Sequence, residues 1–226
     1  MTTWVYSFKE AAGKSKQLLG GKGAGLSEMT KIGLPVPPGF VITTKTCLAY
    51  LEKKDFPQGM WSQVLANLTK IEKETGKGFG NPENPLLVSV RSGAVISMPG
   101  MMDTVLNLGL NEETLRGLAK KTNNERFALD AYRRFIQMFA NIVMGIPLEK
   151  FEAFLESERK RLKIKDDTQF SAENLQKIIT AYLSIYQKET GEEFPQDPKK
   201  QLKAAIKAVF DSWNNKRAID YRNFNK

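Results

Sequence analysis

Apolar residues recur along this chain with two different rhythms. After residue 110 the period is helical. Ala128, Tyr132, Phe135, Ile136, Phe139, Ile142 and Val143 stand three or four apart and predict one broad apolar face on a long helix. Gly145 and Pro147 end that helix, and Pro147 suits the first turn of the next, which carries Phe151, Phe154 and Leu155. Ser171 is placed to cap a helix bearing Leu175, Ile178, Ile179, Tyr182 and Tyr186, stopped by Gly191. Asp197-Pro198 reads as a cap and first turn before Leu202, Ile206, Val209, Phe210 and Trp213. Before residue 110 the apolar segments are short. Trp4–Phe8 and Phe40–Thr44 predict strands, rich in aromatic and β-branched residues. Leu86–Val90, with Pro85 just before it, predicts a buried strand, and Thr104–Leu108 another. Ala24 to Ile32 predicts a short helix closed by Gly33 and Pro35.

Composition sharpens this division. Residues 1–110 hold 14 Gly and 7 Pro, and the remaining residues only 3 of each. A turn-rich α/β part is therefore expected ahead of a helical one. Apolar runs are too short for a membrane span, and the start, Met1-Thr-Thr-Trp-Val-Tyr, lacks the signature of a secretory leader. The single cysteine, Cys47, has no internal disulfide partner, which with the missing leader gives a cytoplasmic expectation. Net charge is +9, but 12 basic and 8 acidic groups in residues 1–110 show the excess to be spread out rather than gathered into a nucleic-acid-binding tail. The chain has no histidine. Ser-His and Cys-His nucleophiles, histidine metal sites and a phosphohistidine carrier are thereby excluded within it. Lysine, arginine, carboxylates, hydroxyls and backbone amides remain, an inventory suited to phosphate binding.

Three segments could carry such chemistry. Gly20-Gly21-Lys22-Gly23-Ala24-Gly25 sets a lysine among glycines at the opening of the expected helix, where unpaired N–H groups and a positive dipole end attract anions. The order of residues is neither a Walker motif nor a dinucleotide fingerprint, so a tight turn with an exposed lysine and a phosphate cradle both stay open. Arg91, followed by Ser92 and Gly93, would emerge at the carboxyl end of a strand, where open α/β sheets bind ligands. Its planar fork suits phosphate, although pairing with a structural carboxylate is the alternative. Ser97-Met98-Pro99-Gly100-Met101-Met102-Asp103-Thr104 concentrates methionine around Pro-Gly and suits either a mobile cover for a ligand or a loop tucked into the core.

The order and spacing of these segments, with Leu26-Ser-Glu-Met, Pro37-Pro-Gly-Phe, Tyr132-Arg-Arg-Phe-Ile-Gln-Met, Glu193-Phe-Pro-Gln and Ala208-Val-Phe-Asp-Ser-Trp, resemble the N-terminal nucleotide-binding part of the pyruvate, phosphate dikinases across essentially the whole chain. The run at 97–104 distinguishes that family from the related phosphoenolpyruvate synthases, a fragment of which is the runner-up reading; a basic nucleic-acid-binding module is the alternative from another class. The resemblance implies the first half of an ATP-grasp-type domain (1–110 and 197–226) interrupted by a helical insertion (111–196). It implies ATP and AMP as ligands, held by Gly20, Gly21, Lys22, Gly23, Arg91, Ser92, Met101, Met102, Asp103 and Thr104, with Lys22 and Arg91 contacting the polyphosphate. It implies conversion of ATP, phosphate and pyruvate to AMP, pyrophosphate and phosphoenolpyruvate by the whole enzyme. The Mg²⁺ ligands, the phosphohistidine domain and the pyruvate domain would lie beyond this chain. The expectation is a fragment, inactive alone and monomeric.

Overall fold

The computed structural model describes residues 2–224. Strand β1 (Val5–Ser7) is shorter than the apolar run around it, because Ser7 caps a helix instead of extending the strand. Its hydroxyl accepts from the Glu10 amide, the Glu10 carboxylate accepts from the Ser7 amide, and helix α1 (Phe8–Ala11) follows. Strand β2 (Phe40–Ile42) pairs antiparallel with β1, in the register Val5 to Ile42 and Ser7 to Phe40. It too stops early, where Thr43 caps helix α3 (Thr44–Lys53). Between them runs helix α2 (Lys16–Lys31), capped by Ser15. Helix α4 (Met60–Thr75) lies against β1, and Gln63 on it accepts from the amides of Trp4 at 2.8 Å and Val5 at 3.1 Å.

Strands β3 (Val88–Arg91) and β4 (Thr104–Leu108) form a second two-stranded sheet. The remainder is helical: α5 (Glu112–Thr122), α6 (Glu125–Met144), α7 (Leu148–Leu162), α8 (Ala172–Thr190), α9 (Pro198–Asp211) and α10 (Lys216–Phe224). The architecture is thus mixed, with small sheets and a helical majority.

The chain divides into two units. One comprises residues 1–77, 91–103 and 209–226; the other comprises 78–90 and 104–208. These bounds differ from a division at residues 110 and 196 drawn from glycine and proline content and from the resemblance. Composition reports turn density, whereas the unit is set by packing, and β4 and most of α9 pack with the helical residues.

In the first unit Ala11, Leu19 and Val41 form a buried cluster, with Tyr6, Phe8, Leu18 and Ala24 against it. A second cluster gathers Tyr50 with the rings of Phe56 at 5.8 Å and Phe210 at 5.3 Å. In the second unit Phe194 packs edge-on against Phe135, Phe139 and Tyr186 at 5.2–5.7 Å between centroids. Gln201, fully buried, donates to the carbonyls of Leu110 and Pro195 and accepts from the Gly109 amide, so no buried polar group of this side chain is left without a partner.

Two sequence expectations are corrected here. The helix expected at Ala24–Ile32 begins eight residues earlier, at Lys16, so the glycine run is not a loop before a helix but lies inside α2. The backbone leaves helical geometry at Gly20 (φ 72°, ψ 167°) and then resumes it. Leu86–Val90 is not a buried strand. Only Leu86 of that run is buried, and along β3 half-buried residues alternate with exposed ones. A ribbon of two strands has one neighbour to pair with and cannot enclose both faces, as a larger parallel sheet does. Helices α3 and α4 were not among the sequence expectations, although Met60, Val64, Leu68 and Ile71 give α4 a helical apolar period.

Candidate functional site

Gly20 is the pivot of the region that the sequence singled out. A Cβ built there would lie 1.3 Å from the carbonyl oxygen of Gly93, and the positive φ is one that L-residues rarely adopt. Glycine is therefore required for α2 to touch the segment that follows Arg91. One residue on, the Gly21 amide donates to the Ala94 carbonyl at 2.9 Å. At the next glycine the constraint comes from the sheet, since a Cβ on Gly23 would sit 2.9 Å from Val41 Cγ1. The run of glycines is thus explained by close packing of α2 on β2 and on residues 93–94.

That packing brings the two candidate cations to one junction. Lys22 lies two residues beyond the kink, and Gly93 follows Arg91 by two residues; a Cβ on Gly93 would be 3.9 Å from Lys22 Cβ. Lys22 and Arg91 are both exposed. Among the described residues neither side chain has a hydrogen bond or an ion pair. Arg91 is the last residue of β3, and the structural carboxylate considered as its alternative partner is not found there. Lys22, an exposed cation without a partner, thus stands in the first turn of the resumed helix, where the dipole favours an anion.

The methionine-rich segment continues from Ala94. Its tip is a turn in which the Met101 amide donates to the Met98 carbonyl at 3.2 Å, with Pro99 and then Gly100 at φ 72°, as a type II turn requires. Met98, Met101 and Met102 are half-buried, while Ile96 is 63% exposed. Asp103 is engaged within the fold. Its carboxylate accepts from Asn215 Nδ2 at 3.0 Å and from Arg217 Nη2 at 3.1 Å, and its amide donates to Ser212 Oγ at 3.2 Å. Thr104 is the first residue of β4 and belongs to the other unit.

Two concavities lie elsewhere. One of about 540 Å³ in the first unit includes Tyr6, Lys14, Asn67 and Lys70. One of about 650 Å³ in the second unit includes Arg133, Arg159 and Asp167. There the arginines are already committed to carboxylates: Arg133 to Asp130 at 2.6 Å and Asp167 at 3.1 Å, Arg159 to Asp167 at 2.7 Å. Neither includes Lys22 or Arg91. Burial, with the charge of Asp211, pushes the Cys47 thiol up to about 11, which disfavours the thiolate. Among the described residues no three His, Cys, Asp or Glu side chains gather to hold a metal ion, and no helix is long and apolar enough to cross a membrane.

A kinked, glycine-rich helix packed on the segment that follows a strand-end arginine is the local arrangement of a chain whose family is shown by comparison to be one of nucleotide-binding domains. The chain belongs to the family described as pyruvate phosphate dikinase, AMP/ATP-binding domain, whose model matches residues 16–64 and 53–226. It is 54% identical over 212 residues to pyruvate, phosphate dikinase 1, chloroplastic, of Arabidopsis thaliana, covering 93% of this chain and 22% of that protein. To the pyruvate, phosphate dikinase of Clostridium symbiosum it is 48% identical over 227 residues, covering 100% of this chain and 26% of the relative. To that of Entamoeba histolytica it is 51% identical over 219 residues, covering 96% and 25%. The chain spans about a quarter of the length of these relatives.

Proposed function

We propose that this chain is the polyphosphate-holding part of an ATP-grasp-type nucleotide site, serving a dikinase that converts ATP, phosphate and pyruvate to AMP, pyrophosphate and phosphoenolpyruvate. The observation that supports the reading is the junction at Gly20 and Gly93, which sets Lys22 against the segment two residues beyond Arg91; both cations are exposed and, among the described residues, neither side chain has a partner. An exposed cation that pairs with nothing in its own fold remains available to a ligand anion. Lys22 supplies a point charge that reaches phosphate oxygens, and Arg91 a planar fork that can take two of them at once. Their chemical task is electrostatic. Both neutralise charge that shifts among phosphate oxygens as the phosphoryl group leaves, and neither acts as nucleophile. Gly20, Gly21 and Gly23 serve by letting α2 pack on residues 93–94 and on Val41, and Ser92, Met101 and Met102 would border the ligand. The chain has no histidine, so the acceptor of the phosphoryl group belongs to another part of the enzyme. The resemblance implies that Mg²⁺ takes its protein ligands from another part of the enzyme as well.

Calorimetric titration with ATP tests the reading. A one-sided site encloses little of the nucleotide, so a dissociation constant of roughly 1 mM, about −4 kcal/mol, is expected. Lys22→Ala and Arg91→Ala should each weaken it about tenfold, the loss of one charge-assisted contact. Arg91→Lys should restore part of the loss. Affinity unchanged in both alanine variants would overturn the assignment. Tight, steeply salt-dependent binding of nucleic acid with indifference to ATP would favour the basic-module alternative instead.

A further inference from the structure

We propose that Arg217 is a positioning residue for residues 92–103, acting through Asp103; the proposal rests on the nucleotide reading above. The segment is tied at both ends. At its start Gly21 donates to Ala94. At its end Asp103 is held by three residues of the C-terminal stretch: Ser212 Oγ at its amide, Asn215 and Arg217 at its carboxylate. Tyr221 adds a contact in the middle, its hydroxyl donating to the Ser97 carbonyl at 3.3 Å. Between these ties stand the Pro99-Gly100 turn and the exposed Ile96, which pack on little. The geometry is that of a strap fixed at Ala94 and Asp103.

The tie at Asp103 is lopsided in a way that suits adjustment. The Asp103 side chain is 19% exposed and that of Arg217 60%. Ser212 is buried and neutral, so its contact survives loss of Arg217, while the guanidinium faces solvent and is screened by salt. Charge gives the pair a second task. Asp103 is the only carboxylate between Arg91 and Thr104. Left uncompensated, it would repel the polyphosphate that Lys22 and Arg91 attract; Arg217 supplies the compensating charge.

The experiment measures amide exchange of residues 95–102 and ATP affinity in the same chain, for the wild type, Arg217→Ala, Arg217→Lys and Lys22→Ala. Arg217→Ala is expected to raise exchange about threefold to fivefold, as loss of an exposed ion pair allows, and to weaken ATP by a similar factor. Arg217→Lys should recover most of the affinity, because it keeps the charge. High salt should raise wild-type exchange toward that of Arg217→Ala. Lys22→Ala should weaken ATP with the exchange of 95–102 unchanged. Exchange in Arg217→Ala equal to that of the wild type would overturn the proposal, as would equal losses of affinity in the alanine and lysine variants. If no protein in the set binds ATP, the nucleotide reading fails, and the exchange measurements then decide the strap by themselves.

Discussion

Gly20 and Gly25 sit in one glycine run and are held to opposite standards. At Gly20 an added Cβ meets a carbonyl oxygen at 1.3 Å on a backbone with φ 72°. At Gly25 it meets nothing within 4 Å, in ordinary helical geometry. Gly20→Ala should therefore cost about 3 kcal/mol or more, since backbone on both sides must move. Gly25→Ala should stabilise by roughly 0.5–1 kcal/mol, the helix-propensity difference between the residues. Urea unfolding of the two variants checks both signs; two equal losses would contradict the packing described here. The sequence displayed a lysine among glycines without showing which glycine mattered. That distinction depends on Gly93, some seventy residues away, and no local pattern encodes it. Asp103 teaches the same lesson, since its partners Ser212, Asn215 and Arg217 are more than a hundred positions distant. Lys22 and Arg91 stood out in the sequence because one lies among glycines and the other precedes Ser-Gly at the end of a strand.

Among the elements, the long helices were the most legible. Asn124 and Gly145 bound α6, Ser171 and Gly191 bound α8, and Asp197 accepts from Lys199 at the start of α9, so caps and stripes agree. The strands were legible in position and overestimated in length, because Ser7 and Thr43 hand the backbone to helices one residue after pairing ends. What periodicity could not show is the ionic knot between α6, α7 and the turn at Asp167–Gln169. Arg133, with a side chain 3% exposed, is held by Asp130 and Asp167, and Asp167 also binds Arg159. Arg126 donates to the carbonyls of Asp167 and Phe170 and fixes the same turn. Removing Asp167 strips Arg159 of one partner and leaves Arg133 only Asp130. Asp167→Ala should cost about 3 kcal/mol, the usual penalty for breaking a buried pair from one side. Its thermal melt should fall by several degrees, with ATP affinity of the first unit unaffected. A melt unchanged from the wild type would show the knot to be dispensable.

At the scale of the whole molecule, one unit carries the candidate chemistry and the other carries the large helical core. Lys22, Arg91 and the strap from Ser92 to Asp103 all fall in the unit that also holds 209–226, so the C-terminal stretch is part of the site's support despite its distance in sequence. The positive charge that raised the nucleic-acid alternative is dispersed; what distinguishes Lys22 and Arg91 is their place in the chain on either side of the junction between the Gly20 kink and residues 93–94. The most direct test of the central claim is a map of backbone amide shifts in the isotopically labelled chain as ATP is added. Perturbations should gather at residues 20–25 and 91–103 and vanish together in Lys22→Ala with Arg91→Ala. Shifts gathered instead around Arg133 and Arg159, or around Lys14 and Asn67, would contradict the assignment and move the nucleotide to one of the two concavities.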